Sequence, residues 1–206
     1  MHVLVVHESL FGNTRDVAEA IAEGLRDGRG SVRVDCISAA ERQPADLPTA
    51  DLLVVGGPTH DHGMATRSSV IRGRLMQRRL ALPGPPVQRP PRGGLLAPPG
   101  PPGAALTIHP PRELSGSGAV DADLQAWLKA LPRTSGRSAA AFDTRLGSRW
   151  SGGAASGIAR RLRRHGYHLL VPAEGFVLES VWGPLRADEI ARARRWGSDL
   201  HRQLVL

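Results

Sequence analysis

One cysteine, one tyrosine and one lysine are all that 206 residues contain of those three types. The single Cys36 excludes an intrachain disulfide, and no Cys/His spacing suited to a structural metal is present. Cys36 sits in an alternating apolar stretch and reads as a buried, inert thiol. Aromatic residues make up 4% of the chain, so a ligand that stacks on rings finds few partners. No run approaches the ~20 apolar residues needed to cross a bilayer. The stretch Met1-His2-Val3-Leu4-Val5-Val6-His7 lacks the basic start and cleavage site of a secretory leader, which points to a cytoplasmic protein. Acid is missing from residues 66–112, which carry eight arginines (67, 72, 74, 78, 79, 89, 92 and 112). The formal charge of +8 is confined to that segment, since the rest of the chain balances. Such a distribution argues against a nucleic-acid interface. With Lys129 the sole lysine, the arginine bias reads instead as the mark of a GC-rich genome.

What is there alternates. The valine-rich run His2–His7 reads as a buried strand. Residues 13–27 place Val17, Ala18, Ile21, Ala22 and Leu25 at helical spacing, with Gly28 and Gly30 as the stop. Residues 31–37 alternate Val32, Val34 and Cys36 as a second strand, and 50–56 carry the continuous run Leu52-Leu53-Val54-Val55 of a central parallel strand. Further on, 121–131 predicts a helix with Leu124, Trp127, Leu128 and Leu131 on one face, Asp121 as N-cap and Pro132 as stop. Residues 138–142 form a short strand and 151–165 an arginine-rich helix, with Leu162 inward and Arg160 to Arg164 as its solvated face. Strands at 167–171 and 175–180 follow. The last helix, 187–204, turns Ile190, Ala193, Trp196, Leu200 and Leu204 inward. Strands that alternate with helices imply a parallel α/β sheet with right-handed crossovers.

One stretch breaks this pattern. Residues 83–112 hold 11 of the 17 prolines, which denies them helix and central strand alike. The expectation is a solvated, disordered or polyproline-like excursion, preceded at 67–82 by a basic stretch able to form a short helix.

The motif that carries chemistry is Ser9-Leu10-Phe11-Gly12-Asn13-Thr14, directly after the first strand and opening the first helix. A helix N-terminus presents unpaired N–H groups and the positive end of a dipole. Ser9, Asn13 and Thr14 add polar donors, and Gly12 lets the backbone come close to an anion. The loop is therefore suited to a phosphate without help from lysine or arginine. It lacks both the GK[ST] ending of a P-loop and the three glycines of a dinucleotide fingerprint. A plain N-capped turn is the alternative reading of the same residues. His60-Asp61-His62 has too few ligands in too short a loop to argue for a metal, and no serine has the partners of a hydrolase triad.

Residues Val5 to Thr14, followed by Val17-Ala18 and Ile21-Ala22, resemble the signature of flavodoxins, whose first loop wraps the phosphate of FMN. Val54-Val55-Gly56-Gly57-Pro58-Thr59-His60 is similar to the flavodoxin loop that runs beside the flavin ring. Ala141-Phe142-Asp143-Thr144-Arg145 resembles the corresponding loop in a subgroup of flavodoxin-like proteins from high-GC bacteria, as does Gly183-Pro184-Leu185. The resemblance covers 1–65 and about 119–204. It implies one flavodoxin-like domain over 1–206, interrupted by a Pro/Arg-rich insertion at about 66–118. The implied architecture is a three-layer, doubly wound parallel sheet of order 2-1-3-4-5. It also implies non-covalent FMN, with the phosphate on Ser9, Leu10, Phe11, Gly12, Asn13 and Thr14. The ring would be flanked by Pro58, Thr59, His60, Asp61 and Gly63 from one loop and by Phe142, Asp143, Thr144 and Arg145 from another. Asp143 is either a polar contact to flavin or a loop cap.

The family's usual tryptophan and tyrosine walls are absent from these loops. His60, Trp150 or Trp182 would have to stack instead, since Trp127 and Trp196 fall on helix faces that point to the core. The implied role is electron transfer, with the redox partner unspecified. The alternatives are an FMN-dependent quinone or flavin reductase, and a degenerate fold without FMN.

Overall fold

A computed structural model describes residues 1–28, 31–60, 63–64, 124–147, 153–180 and 183–205. The segment expected to be an excursion, 66–118, lies outside the described residues, as do Asp61, His62, Asp121, Trp150 and Trp182. The elements run β1 (His2–His7), α1 (Asn13–Arg26), β2 (Arg33–Ser38), a 3-10 turn (Pro44–Asp46), β3 (Leu52–His60), β4 (Gly63–Met64), α2 (Leu124–Ala130), β5 (Ser138–Leu146), α3 (Ala154–Arg164), β6 (His168–Leu169), β7 (Glu174–Leu178) and α4 (Glu189–Leu204).

The sheet has the expected doubly wound order. β2, β1, β3 and β5 lie side by side and parallel, and the fifth position is filled in two pieces. β6 pairs with the start of β5 at Ser138 and Ala139, and β7 with its far end from Phe142 to Leu146. The two strands expected at 167–171 and 175–180 thus share one place in the sheet. Pairing with β7 also carries β5 on to Leu146, four residues past its expected end at 142.

β1 and β3 are buried on both faces, which is what their unbroken Val/Leu runs require of central parallel strands. Val3, Val5 and Val54 face α1 and α4, whereas Leu4, Val6 and Val55 face α2 and α3. β5 is built largely from Ala139, Ala140 and Ala141, all fully buried. Alanine is a poor strand former, but its small side chain lets helices lie close on both faces. Phe142 fills the space left by Gly56, where a Cβ would overlap the phenyl ring. Phe142, Phe176 and Trp196 form an edge-to-face trio with centroids 6.2–6.4 Å apart, each pair worth about 0.5–1.5 kcal/mol beyond burial.

α1 and α4 meet backbone to backbone. A Cβ at Gly24 would overlap the Arg194 carbonyl, and one at Gly197 the Ile21 carbonyl. Ser198 Oγ donates to the Gly24 carbonyl at 3.1 Å across the contact. The inward stripe of α4 begins only at Ala193. Ile190, expected inward, is 44% exposed, because the first turn is held by polar bonds: Glu189 Oε2 accepts the Val177 N–H at 2.9 Å. Cys36 is half-buried rather than buried on the edge strand β2, and burial pushes its thiol up to about 11. Trp127 is buried in the core as expected, its indole N–H donating to the Arg42 carbonyl at 3.0 Å.

Candidate functional site

The register brings three strand ends together. His7 of β1 stands beside Gly56 of β3, and Gly56 beside Phe142 of β5. One step further, Gly57 faces Asp143 and Pro58 faces Thr144. The loops after β1, β3 and β5 therefore leave the sheet from adjacent strands at its carboxyl-terminal edge, where doubly wound sheets hold ligands.

Glu8, Ser9, Leu10, Phe11 and Gly12 form the connection from β1 to α1, and Asn13 and Thr14 open the helix. Gly12 takes φ +90°, a conformation that favours glycine, and the space where its Cβ would stand is open. α1 has no side-chain cap, so the usual internal acceptor for first-turn N–H groups is missing. Ser9 Oγ is buried and has no hydrogen-bond partner among the described residues. A buried hydroxyl without a partner is costly, and one beside an uncapped helix N-terminus matches the donor set of a phosphate.

Thr14 plays a different part. Its hydroxyl is buried and lies 2.8 Å from the Thr144 hydroxyl, tying the first turn of α1 to β5. Asn13 packs against Gly183 in the loop before α4, where a Cβ would stand 2.6 Å from Asn13 Oδ1. Gly183 itself takes φ +98°. The chain before α4 thus closes on the first loop, a contact between residues far apart in sequence.

The loops after β3 and β5 are joined by a polar cluster. Thr59 Oγ1 donates to Asp143 Oδ2 at 3.1 Å and accepts the Ala154 N–H at 2.9 Å. Asp143 Oδ2 also accepts the Ala155 N–H at 2.9 Å. Two side chains from neighbouring strands therefore cap α3. Asp143 is fully buried. Burial pushes its carboxyl pKa above the usual range, against the opposing pull of the Ala155 N–H, Arg145 and Thr59. Its Oδ1 lies 3.6 Å from Arg145 Nε, and the Arg145 guanidinium covers Gly175, where a Cβ would overlap it. Asp143 Oδ2 thus caps α3, while its Oδ1 has no hydrogen-bond partner among the described residues.

The remaining expected site residues fall as follows. Pro58 and His60 lie in the last turn-ward stretch of β3, and Gly63 pairs antiparallel with His60 in the short β4. Phe142 is fully buried with its ring in the core, so only its backbone faces the site edge. His7, which sequence reasoning did not single out, is buried at the end of β1. Its Nδ1 has no partner among the described residues, and desolvation lowers its pKa to about 4. The cap on α3 was hidden because its donors and acceptors come from three separate stretches.

A family model described as Flavodoxin matches residues 5–80. The match runs fifteen residues past the point where the sequence resemblance was expected to stop, so part of the basic stretch 67–82 falls inside it. No curated protein matches the chain. Among solved structures, a flavodoxin from the domain Archaea superposes with a TM-score of 0.57 at 20% identity, covering 100% of both chains. Flavodoxin 1 from Bacillus cereus gives 0.59 at 14% identity, covering 100% of this chain and 97% of the other. The Streptococcus pneumoniae TIGR4 flavodoxin gives 0.60 at 13% identity over 98% and 99%. The fold is flavodoxin-like.

Proposed function

We propose that this chain binds FMN without a covalent bond and works in electron transfer. One observation carries the reading: the buried, unpartnered Ser9 hydroxyl beside the open turn at Gly12 and the uncapped start of α1. These residues fit a phosphate, because Ser9 supplies a hydroxyl and the turn at Gly12 and the start of α1 expose backbone N–H groups.

In this proposal the phosphate lies on Ser9, Leu10, Phe11, Gly12, Asn13 and Thr14. Leu10 and Phe11 contribute through the backbone. Thr14 acts mainly through its N–H, since its hydroxyl is engaged with Thr144. Pro58, Thr59, His60, Asp61 and Gly63 flank the ring on one side, and Phe142, Asp143, Thr144 and Arg145 on the other. Thr59 and Asp143 serve as positioning residues that fix both loops to α3, while the backbone of these stretches meets the ring edge. FMN, when bound, supplies the redox chemistry, so no side-chain nucleophile or general base is needed. The chain's task is to hold the phosphate, exclude water and present fixed N–H groups.

The finer assignment to a subgroup from high-GC bacteria rests on the 141–145 loop, Gly183-Pro184-Leu185 and the arginine bias, and the comparisons lend it no support. A cytoplasmic location is part of the proposal. The test is a visible spectrum of the purified full chain after addition of FMN and removal of excess. A retained flavin band supports the reading, and a folded but colourless protein refutes it. Slow oxidation of NAD(P)H by the loaded protein favours a carrier; fast turnover with a quinone favours the reductase.

A further inference from the structure

Six exposed cations share one end of the molecule, and none of them forms an ion pair among the described residues. Lys129 lies in the last turn of α2, Arg133 and Arg137 on the connection into β5, and Arg160, Arg163 and Arg164 in the second half of α3. Backbone bonds make this one surface. The Thr134 N–H donates to the His165 carbonyl at 2.8 Å, the Gly136 N–H to Gly166 at 2.9 Å, and the His168 N–H to Arg137 at 2.8 Å. Between 124 and 173 the only acid is Asp143, and it is fully buried near the opposite end. Five arginines elsewhere are paired with acids on the surface: Arg15 with Glu19, Arg33 with Asp35, Arg192 with Glu174 and Glu189, Arg194 with Glu23 and Asp27, and Arg202 with Asp199. The chain's approximate neutrality outside 66–112 therefore conceals a strongly basic face.

The face has no large exposed aliphatic side chain among the described residues. The exposed large hydrophobics are Met1, Leu146, Ile190 and Val205, none of which lies on it. Of the aromatic side chains near it in sequence, Trp127 is buried in the core and Tyr167 is half-buried. A lipid surface would find no large exposed apolar anchor here, and unstacked bases only the half-buried Tyr167. Arginine guanidinium groups form forked bonds to carboxylates, and complementary charge directs docking. We propose that this face docks an acidic protein surface. It sits at the amino-terminal ends of the strands, so a partner held there leaves the 9–14 loop open. The proposal stands whether or not the chain holds FMN.

The test uses the full chain with fluorescent poly-L-glutamate as probe, read by anisotropy at low and at physiological ionic strength. Binding should fall with salt, and Arg160→Gln/Arg163→Gln/Arg164→Gln should weaken it about tenfold or more, a loss of about 1.4 kcal/mol, with an unchanged thermal midpoint. The matching triple lysine variant should retain most of the binding. Arg133→Gln/Arg137→Gln, on a different element, should weaken it as well, so misfolding of one variant leaves the claim testable. Three results would overturn it: no binding of the probe, binding unaffected by both variants, or binding abolished only when the eight arginines of 66–112 are neutralised. Tighter binding to phosphatidylserine vesicles or to duplex DNA through the same arginines would overturn the choice of partner.

Discussion

The hydroxyls of Thr14 and Thr144 meet at 2.8 Å in a buried contact that joins the start of α1 to β5. Removing one partner strands the other. Thr144→Val should cost about 1–3 kcal/mol, whereas Thr14→Val/Thr144→Val should cost less than the sum of the singles. Urea midpoints of the four proteins measure this coupling, and strict additivity would mean that the two hydroxyls do not interact.

Asp143 holds α3 through the Ala155 N–H while Thr59 holds it through Ala154. Asp143→Ala should lose about 1–3 kcal/mol from the cap and the buried groups left unpaired. Asp143→Asn keeps an acceptor and sheds the buried charge, so it should lose less. Denaturation of both variants checks the order; equal losses would show that charge, not capping, is what matters at this position.

The sheet order and most elements were legible because apolar runs and their spacing report directly on burial. Val3 to Val6 and Leu52 to Val55 could only be central strands. Boundaries fixed by distant partners were not legible. α3 starts at Ala154 because Thr59 and Asp143 cap it from strands 95 and 12 residues away. β5 runs to Leu146 because β7 pairs with it. The site divides the same way. The first loop announced itself by local chemistry, glycine and hydroxyls at a strand–helix junction. That Thr14 bonds inward and Asp143 works as a cap depends on contacts across the sheet, which spacing alone does not encode.

Burial keeps His7 neutral and lowers its pKa to about 4. In the unfolded chain a histidine takes its proton near pH ~6.5, so unfolding takes up a proton between those values. Stability should therefore fall as pH drops from about 6.5 to 4, by about 3 kcal/mol in all at about 1.4 kcal/mol per unit. Asp143, whose pKa is raised by burial, opposes this: its contribution grows as pH falls through its folded value. The difference between wild type and His7→Leu, measured by urea melts across this window, isolates the histidine. A His7→Leu protein with the same acid sensitivity would count against a neutral buried imidazole.

Gly24 and Gly197 let α1 and α4 touch. Alanine gains in intrinsic helix propensity over glycine by about 1 kcal/mol, yet either Gly24→Ala or Gly197→Ala should destabilise, since overpacking costs about 1–3 kcal/mol and sometimes more. Thermal midpoints decide it, and a raised midpoint in either variant would show that the helices have room.

The central claim is that the loop from Ser9 to Thr14 holds the phosphate of FMN. Titration of the full chain and of Ser9→Ala with FMN and with riboflavin, followed by flavin fluorescence, tests it most directly. The account predicts that wild type prefers FMN, and that Ser9→Ala weakens FMN by about tenfold, as loss of one hydrogen bond to a charged group implies, while riboflavin is little changed. Equal affinity of wild type for the two flavins, or an equal loss of both in Ser9→Ala, would contradict it.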